Sequence, residues 1–132
     1  EFRDRNILVL KDFSPELPSF FCEPRQIKQV FINLFFNAMQ AMGQSGRLTL
    51  KTSRERQGEK DFIQVAVTDT GGGIQADILD NIFNPFFTTR FEGTGLGLSI
   101  AHKIILKHKG TIHVINDPGV GATFLIQFSV AS

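Results

Sequence analysis

The sequence has no tryptophan, no tyrosine and a single cysteine. One cysteine excludes an internal disulfide, which fits a reducing compartment. As a lone apolar thiol, Cys22 reads as a buried or inert residue. No run is long and apolar enough to span a bilayer as a helix. The chain opens on Glu1-Phe2-Arg3, with neither an initiator Met nor a signal peptide, and is read as an excised domain. The net charge is only +1, and basic and acidic residues are interspersed. That balance gives no electrostatic footprint for nucleic acid or for direct membrane contact. With 14 Phe and no other aromatic, the aromatic load carries no polar handles and reads as core and pocket lining.

What is present fits one domain spanning residues 1–132, with 42% hydrophobic residues. The apolar run Ile7-Leu8-Val9-Leu10 predicts a strand over residues 5–13. Pro15, Pro18 and Pro24 punctuate a loop, and Pro24 suits a first helical position. A helix is predicted over 24–42, stopped by Gly43. Alternation predicts strands over 47–54 and 62–69, with a charged turn over 54–60 between them. Three glycines at 71–73 break the chain, and 75–82 reads as a short helix. Residues 96–109 read as a helix ending in Lys107, His108, Lys109 and Gly110. Strands over 111–115 and 122–130 flank an Asn-Asp-Pro-Gly turn. The order predicts an α/β (α+β) two-layer sandwich. Its mixed, mostly antiparallel sheet of about five strands is covered on one face by three helices.

The 24–42 helix is apolar around most of its circumference, but Gln26, Gln29, Asn33, Asn37 and Gln40 share one stripe. All are neutral amides, and Asn is a poor helix former. A solvated face would give such a stripe, although solvated faces usually mix Lys with Glu. Amide oxygens facing a hard cation and a polyphosphate would give it too. Mg²⁺ takes few protein oxygens and shares the rest with phosphates and water.

Asp69 continues the face of Ile63, Val65 and Val67, where an unpaired carboxylate is costly to bury. It is either an exposed cap on the following turn or an acceptor for a ligand amine. Gly71 and Gly73 follow, where backbone must bend or approach a flat ligand closely. Gly93-Thr94-Gly95-Leu96-Gly97-Leu98-Ser99 opens the next helix, where backbone N–H groups can meet phosphates. Ahead of it stand Phe83, Phe86 and Phe87, then Thr88, Thr89 and Arg90. These phenylalanines beside a glycine hinge read as a lid. Arg90 could reach a terminal phosphate, or be an ordinary surface residue. Gly71-x-Gly73-x-x-Ala76 mimics a dinucleotide fingerprint but lacks the second parallel strand and its acidic residue. His102, His108 and His113 lack partners at metal spacing and read as ordinary helix and strand residues.

Taken in order, these segments resemble the catalytic domain of sensor histidine kinases, within the superfamily of DNA gyrase, heat-shock chaperone and MutL ATPases. Residues Gln29 to Ala38 resemble the asparagine box. Asp69 to Ile74 resemble the first glycine box, and Phe83 to Thr89 the phenylalanine box. Gly93 to Ser99 resemble the second glycine box, and Gly121-Ala122-Thr123-Phe124 the closing strand. The short lid is more like kinases than gyrase. Arg90 stands where Lys is common, and Met39 where a polar residue is common.

The resemblance implies a Bergerat-type fold with ATP and Mg²⁺ as cofactors. It implies that Asn37 holds Mg²⁺, that Asn33 lies near the phosphates, that Asp69 takes the adenine amine and that Thr123 lines the adenine site. Gly71, Gly73, Ile74, Phe86, Phe87, Thr88, Thr89, Arg90, Gly93, Thr94, Gly95, Leu96, Gly97 and Leu98 would complete the nucleotide site, with Asn37 and Arg90 catalytic. The implied activity transfers the γ-phosphoryl group of ATP to a histidine on a separate dimerisation domain. From there it passes to a response-regulator receiver domain. The expected parent is a homodimeric, cytoplasmic or membrane-anchored kinase, and the isolated domain a monomer. The alternative is a nucleotide-binding or ATPase switch module without histidine phosphorylation.

Overall fold

The computed structural model describes residues 6–15, 17, 18, 20, 22–74, 82, 83 and 97–130. In chain order they form β1 (Asn6–Asp12), α1 (Pro24–Met42), β2 (Ser45–Gln57), β3 (Lys60–Thr68), α2 (Gly97–Lys107), β4 (Thr111–Asp117) and β5 (Gly121–Ser129). The helix expected over 75–82 lies, apart from Ile82, outside the described residues, so two helices are seen among them.

The sheet order is β1-β2-β3-β5-β4. β1 pairs with β2 in parallel, and the other three pairings are antiparallel. The parallel pair has a simple cause. α1 lies between β1 and β2 in the chain, and a helical crossover returns the next strand in the same direction. The remaining neighbours are hairpins or a return across the sheet.

α1 starts where its sequence asks it to. Glu23 is the N-cap, its carboxylate accepts from the Arg25 N–H at 3.1 Å, and Pro24 opens the helix. At the other end the Gly43 N–H donates to the Met39 carbonyl, with Gly43 at φ 70°. Val30, Leu34 and Ala38 face inward and are buried. From α2, Ala101 and Ile105 join them over Leu48, Val67, Phe124, Ile126 and Phe128 of the sheet. This is one apolar layer between a helical face and a sheet face, and burial of apolar area on both sides holds them together. Phe20 stacks on Phe128 with ring centroids 4.8 Å apart and packs against the same core.

Three sequence expectations need correction. Residues 54–60 are not a charged turn. β2 runs to Gln57 and β3 begins at Lys60, leaving a two-residue turn with Gly58 at φ 65°. The charges mask strand alternation there, because Arg54 and Asp61 pair across the hairpin, Arg54 Nε donating to Asp61 Oδ1 at 3.1 Å. The Arg54 guanidinium holds the Asp61 carboxyl below the usual carboxylate range. Of the two readings of Cys22, buried or inert, exposure removes the first, since it lies in the proline-rich loop ahead of α1. Not all phenylalanines are core: Phe13 and Phe36 are exposed.

Candidate functional site

The amide stripe of α1 is the natural starting point, because its members have different fates. Both ends of the Asn33 carboxamide are engaged. Its Nδ2 donates to the Gly97 carbonyl at 3.0 Å, and its Oδ1 accepts from Gln29 Nε2 at 2.7 Å. The side chain of Asn33 thus ties α1 to the first residue of α2. One turn on, Asn37 is partly exposed, and its carboxamide makes no hydrogen bond among the described residues. A further turn on, Ala41 meets the first glycine run. A Cβ on Gly71 would fall 2.7 Å from Ala41 Cβ and 2.8 Å from its carbonyl oxygen. Asn33, Asn37 and Ala41 are spaced by four and so share a face. Gly97 and Gly71 therefore meet one helix stripe at points about 12 Å apart, eight residues at ~1.5 Å each. Asn37 stands between them.

Gln26 lies outside this arrangement. Its Oε1 is buried at the start of α1 without a hydrogen-bond partner among the described residues. The start of α1 is held by a histidine. His108 Nε2 accepts from the Glu23 N–H at 3.0 Å, while its Nδ1 lies 2.8 Å from the Ile104 carbonyl. With Nε2 accepting, Nδ1–H donates to Ile104, so this is the neutral tautomer.

Asp69 departs from the exposed cap that its sequence context allowed. It is 4% exposed, and it also caps the turn, its Oδ1 accepting from the Gly71 N–H at 2.8 Å. Burial and capping are therefore combined in one carboxylate. Such a group needs strong partners, and a carboxylate offers about four acceptor positions. Thr70 Oγ1 accepts from the Arg47 N–H at 2.9 Å, fixing the next residue to β2.

The glycine run is then gripped by the β4–β5 turn. The Gly72 N–H donates to the Val120 carbonyl at 3.1 Å, and the Gly119 N–H donates to the Gly72 carbonyl at 2.8 Å. Asn116 binds Ile74 twice: its Oδ1 accepts from the Ile74 N–H at 2.7 Å, and its Nδ2 donates to the Ile74 carbonyl at 2.6 Å. Gly73 has φ 84°, and a Cβ there would sit 2.9 Å from both Asn116 Oδ1 and the Asp117 carbonyl. Only glycine fits that conformation and that gap. Asn116 was not singled out by sequence reasoning. The Asn-Asp-Pro-Gly cluster was read as a turn, and nothing local says that its first side chain reaches back 42 residues.

Thr123 is not brought to the Asp69 side chain. β5 pairs with β3 so that Thr123 opposes Thr68, their hydroxyl oxygens 2.9 Å apart. Val67 and Phe124 face the helices, so Thr68 and Thr123 face the other side of the sheet. The residue beside Asp69 on the helical side is Ala122, whose carbonyl accepts from the Asp69 N–H at 3.0 Å. The strand period of two turns the neighbouring threonine away. Phe83 packs against His102, with centroids 4.9 Å apart, and edge-on to Phe124 at 6.3 Å. It is packed against the core. Phe86, Phe87, Thr88, Thr89, Arg90, Gly93, Thr94, Gly95 and Leu96 lie outside the described residues. Of the second glycine box, Gly97 and Leu98 are described, both partly buried at the start of α2.

One stripe of α1 thus carries the Asn37 carboxamide between the contacts of Gly97 and Gly71, and the buried Asp69 carboxylate caps the turn at Gly71. The chain belongs to the histidine kinase-, DNA gyrase B-, and HSP90-like ATPase family, whose profile matches residues 22–132. Within it, the chain is homologous to sensor histidine kinase catalytic domains. It is 45% identical to the sensor histidine kinase ZraS of Escherichia coli (strain K12) over 114 residues, covering 86% of this chain and 24% of that protein. The catalytic domain of histidine kinase ThkA, solved in a nucleotide-free form, superposes with a TM-score of 0.82 at 33% identity. That alignment covers 97% of this chain and 82% of the other. Full-length ShkA in complex with AMPPNP gives a TM-score of 0.79 at 28% identity, over 96% of this chain and 26% of that one. The chain spans about a quarter of the length of the curated relative ZraS. Among the described residues, no helix is long and apolar enough to cross a membrane.

Proposed function

We propose that this domain binds Mg·ATP between α1, the Asp69 turn and the start of α2, and delivers the γ-phosphoryl group to a histidine on a separate dimerisation domain. The observation that carries the reading is the position of Asn37. Its carboxamide, without a hydrogen bond among the described residues, lies on one stripe of α1 between the contacts made by Gly97 and by Gly71. The family match supports ATP as the nucleotide, and a similar fold is solved with AMPPNP, an ATP analogue.

The residues fit that ligand chemically. Asn37 offers a neutral oxygen, which ligates a hard cation without repelling phosphates. No group of three His, Cys, Asp or Glu side chains that could hold a metal exists among the described residues. That suits a cation carried largely by phosphate and water oxygens. Bound Mg²⁺ would neutralise charge on the phosphates during transfer. Asp69 accepts from the exocyclic amine of adenine, where guanine presents a carbonyl oxygen. Gly71 and Gly73 let the run that follows Asp69 pack directly on Ala41 and on the Asn116–Pro118 turn, because neither position has room for a Cβ. Asn33 fixes the Gly97 end of the second glycine box. Arg90 and the backbone at 93–97 are assigned to the terminal phosphate on sequence alone. Transfer then depends mostly on positioning, since phosphoryl transfer needs little covalent help from protein. The phosphate passes from histidine to an aspartate of a response-regulator receiver domain.

The test adds a separately made histidine-bearing domain of the parent kinase and ATP labelled at the γ-phosphate. Acid-labile, base-stable label on that domain is expected. Nucleotide binding with no transfer would reduce the domain to a binding module. Release of free phosphate alone would make it an ATPase switch.

A further inference from the structure

We infer that Asn116, at the end of β4, is a positioning residue of the nucleotide site, and that its carboxamide sets how firmly the purine end is held. This rests on the nucleotide reading above. The glycine run after Asp69 has no side chains to pack, so its conformation depends on hydrogen bonds to its neighbours. Gly72 is held by two backbone bonds to the β4–β5 turn. At Ile74 that backbone pairing ends. Its N–H and carbonyl are both taken by the one Asn116 side chain, at 2.7 and 2.6 Å.

Only a carboxamide can donate to and accept from the same residue in this way. A carboxylate accepts but cannot donate, and a hydroxyl is too short to span both groups. The close fit at Gly73, 2.9 Å from a Cβ to Asn116 Oδ1, shows that clamp and glycine run are in contact. Asp69 is joined to the same run through the Gly71 N–H. Loosening Ile74 therefore loosens the chain that aims the Asp69 carboxylate, although Asn116 itself touches no part of that carboxylate's ligand. Nucleotide discrimination, and not only affinity, depends on that aim.

The test titrates this chain with Mg·ATP and with Mg·GTP by calorimetry. It compares the unmutated protein with Asn116→Ala, Asn116→Ser and Asn116→Asp, each at a temperature where circular dichroism shows it folded. The Ala and Asp variants should bind ATP about tenfold more weakly, the loss expected from one misaimed hydrogen bond. Their ATP-over-GTP preference should fall about fivefold or more. Asn116→Ser, retaining one bond at most, should lie between. Gln127→Ala removes the Gln127–Gln64 bond on the far face of the sheet and should change neither constant. If Asn116→Ala fails to fold, the Ser and Asp variants carry the comparison. Folded variants within twofold of the unmutated chain in both affinity and preference would overturn the inference. An equal loss for both nucleotides would do the same, because it marks a purely structural role. An unmutated chain that binds no ATP would instead overturn the nucleotide reading itself.

Discussion

Asp69→Asn isolates the chemistry assigned to the purine end of the site. Asn is nearly isosteric, and its Oδ1 can keep the 2.8 Å bond from the Gly71 N–H, so the turn should survive. What changes is the second oxygen, replaced by an N–H₂ in a position that is 4% exposed. Against the exocyclic amine of adenine the substitution sets donor against donor. A hydrogen bond to a charged acceptor contributes about 1.5–3 kcal/mol. At about 1.4 kcal/mol per decade, ATP should bind roughly 10- to 100-fold more weakly. Guanine presents a carbonyl oxygen there, so GTP should lose far less and the preference should shrink or invert. Calorimetric titration with each nucleotide measures both effects, and a thermal melt checks the fold. A folded variant that binds ATP as tightly as the unmutated chain, with the same preference over GTP, would refute the assignment of Asp69.

Asn37→Ala should weaken ATP binding about tenfold or more in Mg²⁺ and hardly at all in EDTA, because the lost group is a cation ligand. Titration with and without Mg²⁺ checks this, and an unaltered Mg²⁺ dependence rejects the ligand role. Gly73→Ala forces an L-residue to φ 84° and drives a methyl to 2.9 Å from the Asp117 carbonyl. The left-handed conformation alone costs about 1–2 kcal/mol, so the thermal midpoint should fall by roughly 5–10 °C and nucleotide affinity with it. An equally stable Gly73→Ala protein would contradict the described turn. The acid limb of stability should involve Asp61, whose carboxyl is held below its ordinary range mainly by the hydrogen bond from Arg54. A depressed folded-state value means stability that is present above the unfolded value, about 3.9, and lost as pH falls through the folded one. Asp61→Asn should therefore flatten the loss of stability below about pH 4 in denaturant titrations. An unchanged acid limb would show that the pair is too exposed to matter.

The parts of this protein legible in its sequence are those with local causes. Pro24 and Gly43 bound α1 because a ring without an N–H and a residue free to take positive φ act where they stand. Val30, Leu34 and Ala38 mark the buried stripe because helical periodicity is written in consecutive residues. The two glycine runs and the amide stripe could be recognised one by one, and their order identifies the family. The hairpin at 54–61 was misread for an equally physical reason. Its charges pair across strands, and that pairing is invisible along one strand.

Partnership between distant segments was decided only in three dimensions. Local sequence marks Asn33 and Asn37 as equivalent amides, yet only Asn33 is tied to Gly97, and Asn37 makes no such bond among the described residues. Strand register placed Ala122 beside Asp69 and turned Thr123 to the opposite face, since a shift of one residue reverses a side chain. Asn116 gained its task from a turn folding back onto Ile74, 42 residues away in the chain. Propensity and periodicity act over a few residues, whereas a binding site is made by which backbone groups the fold leaves without a local partner.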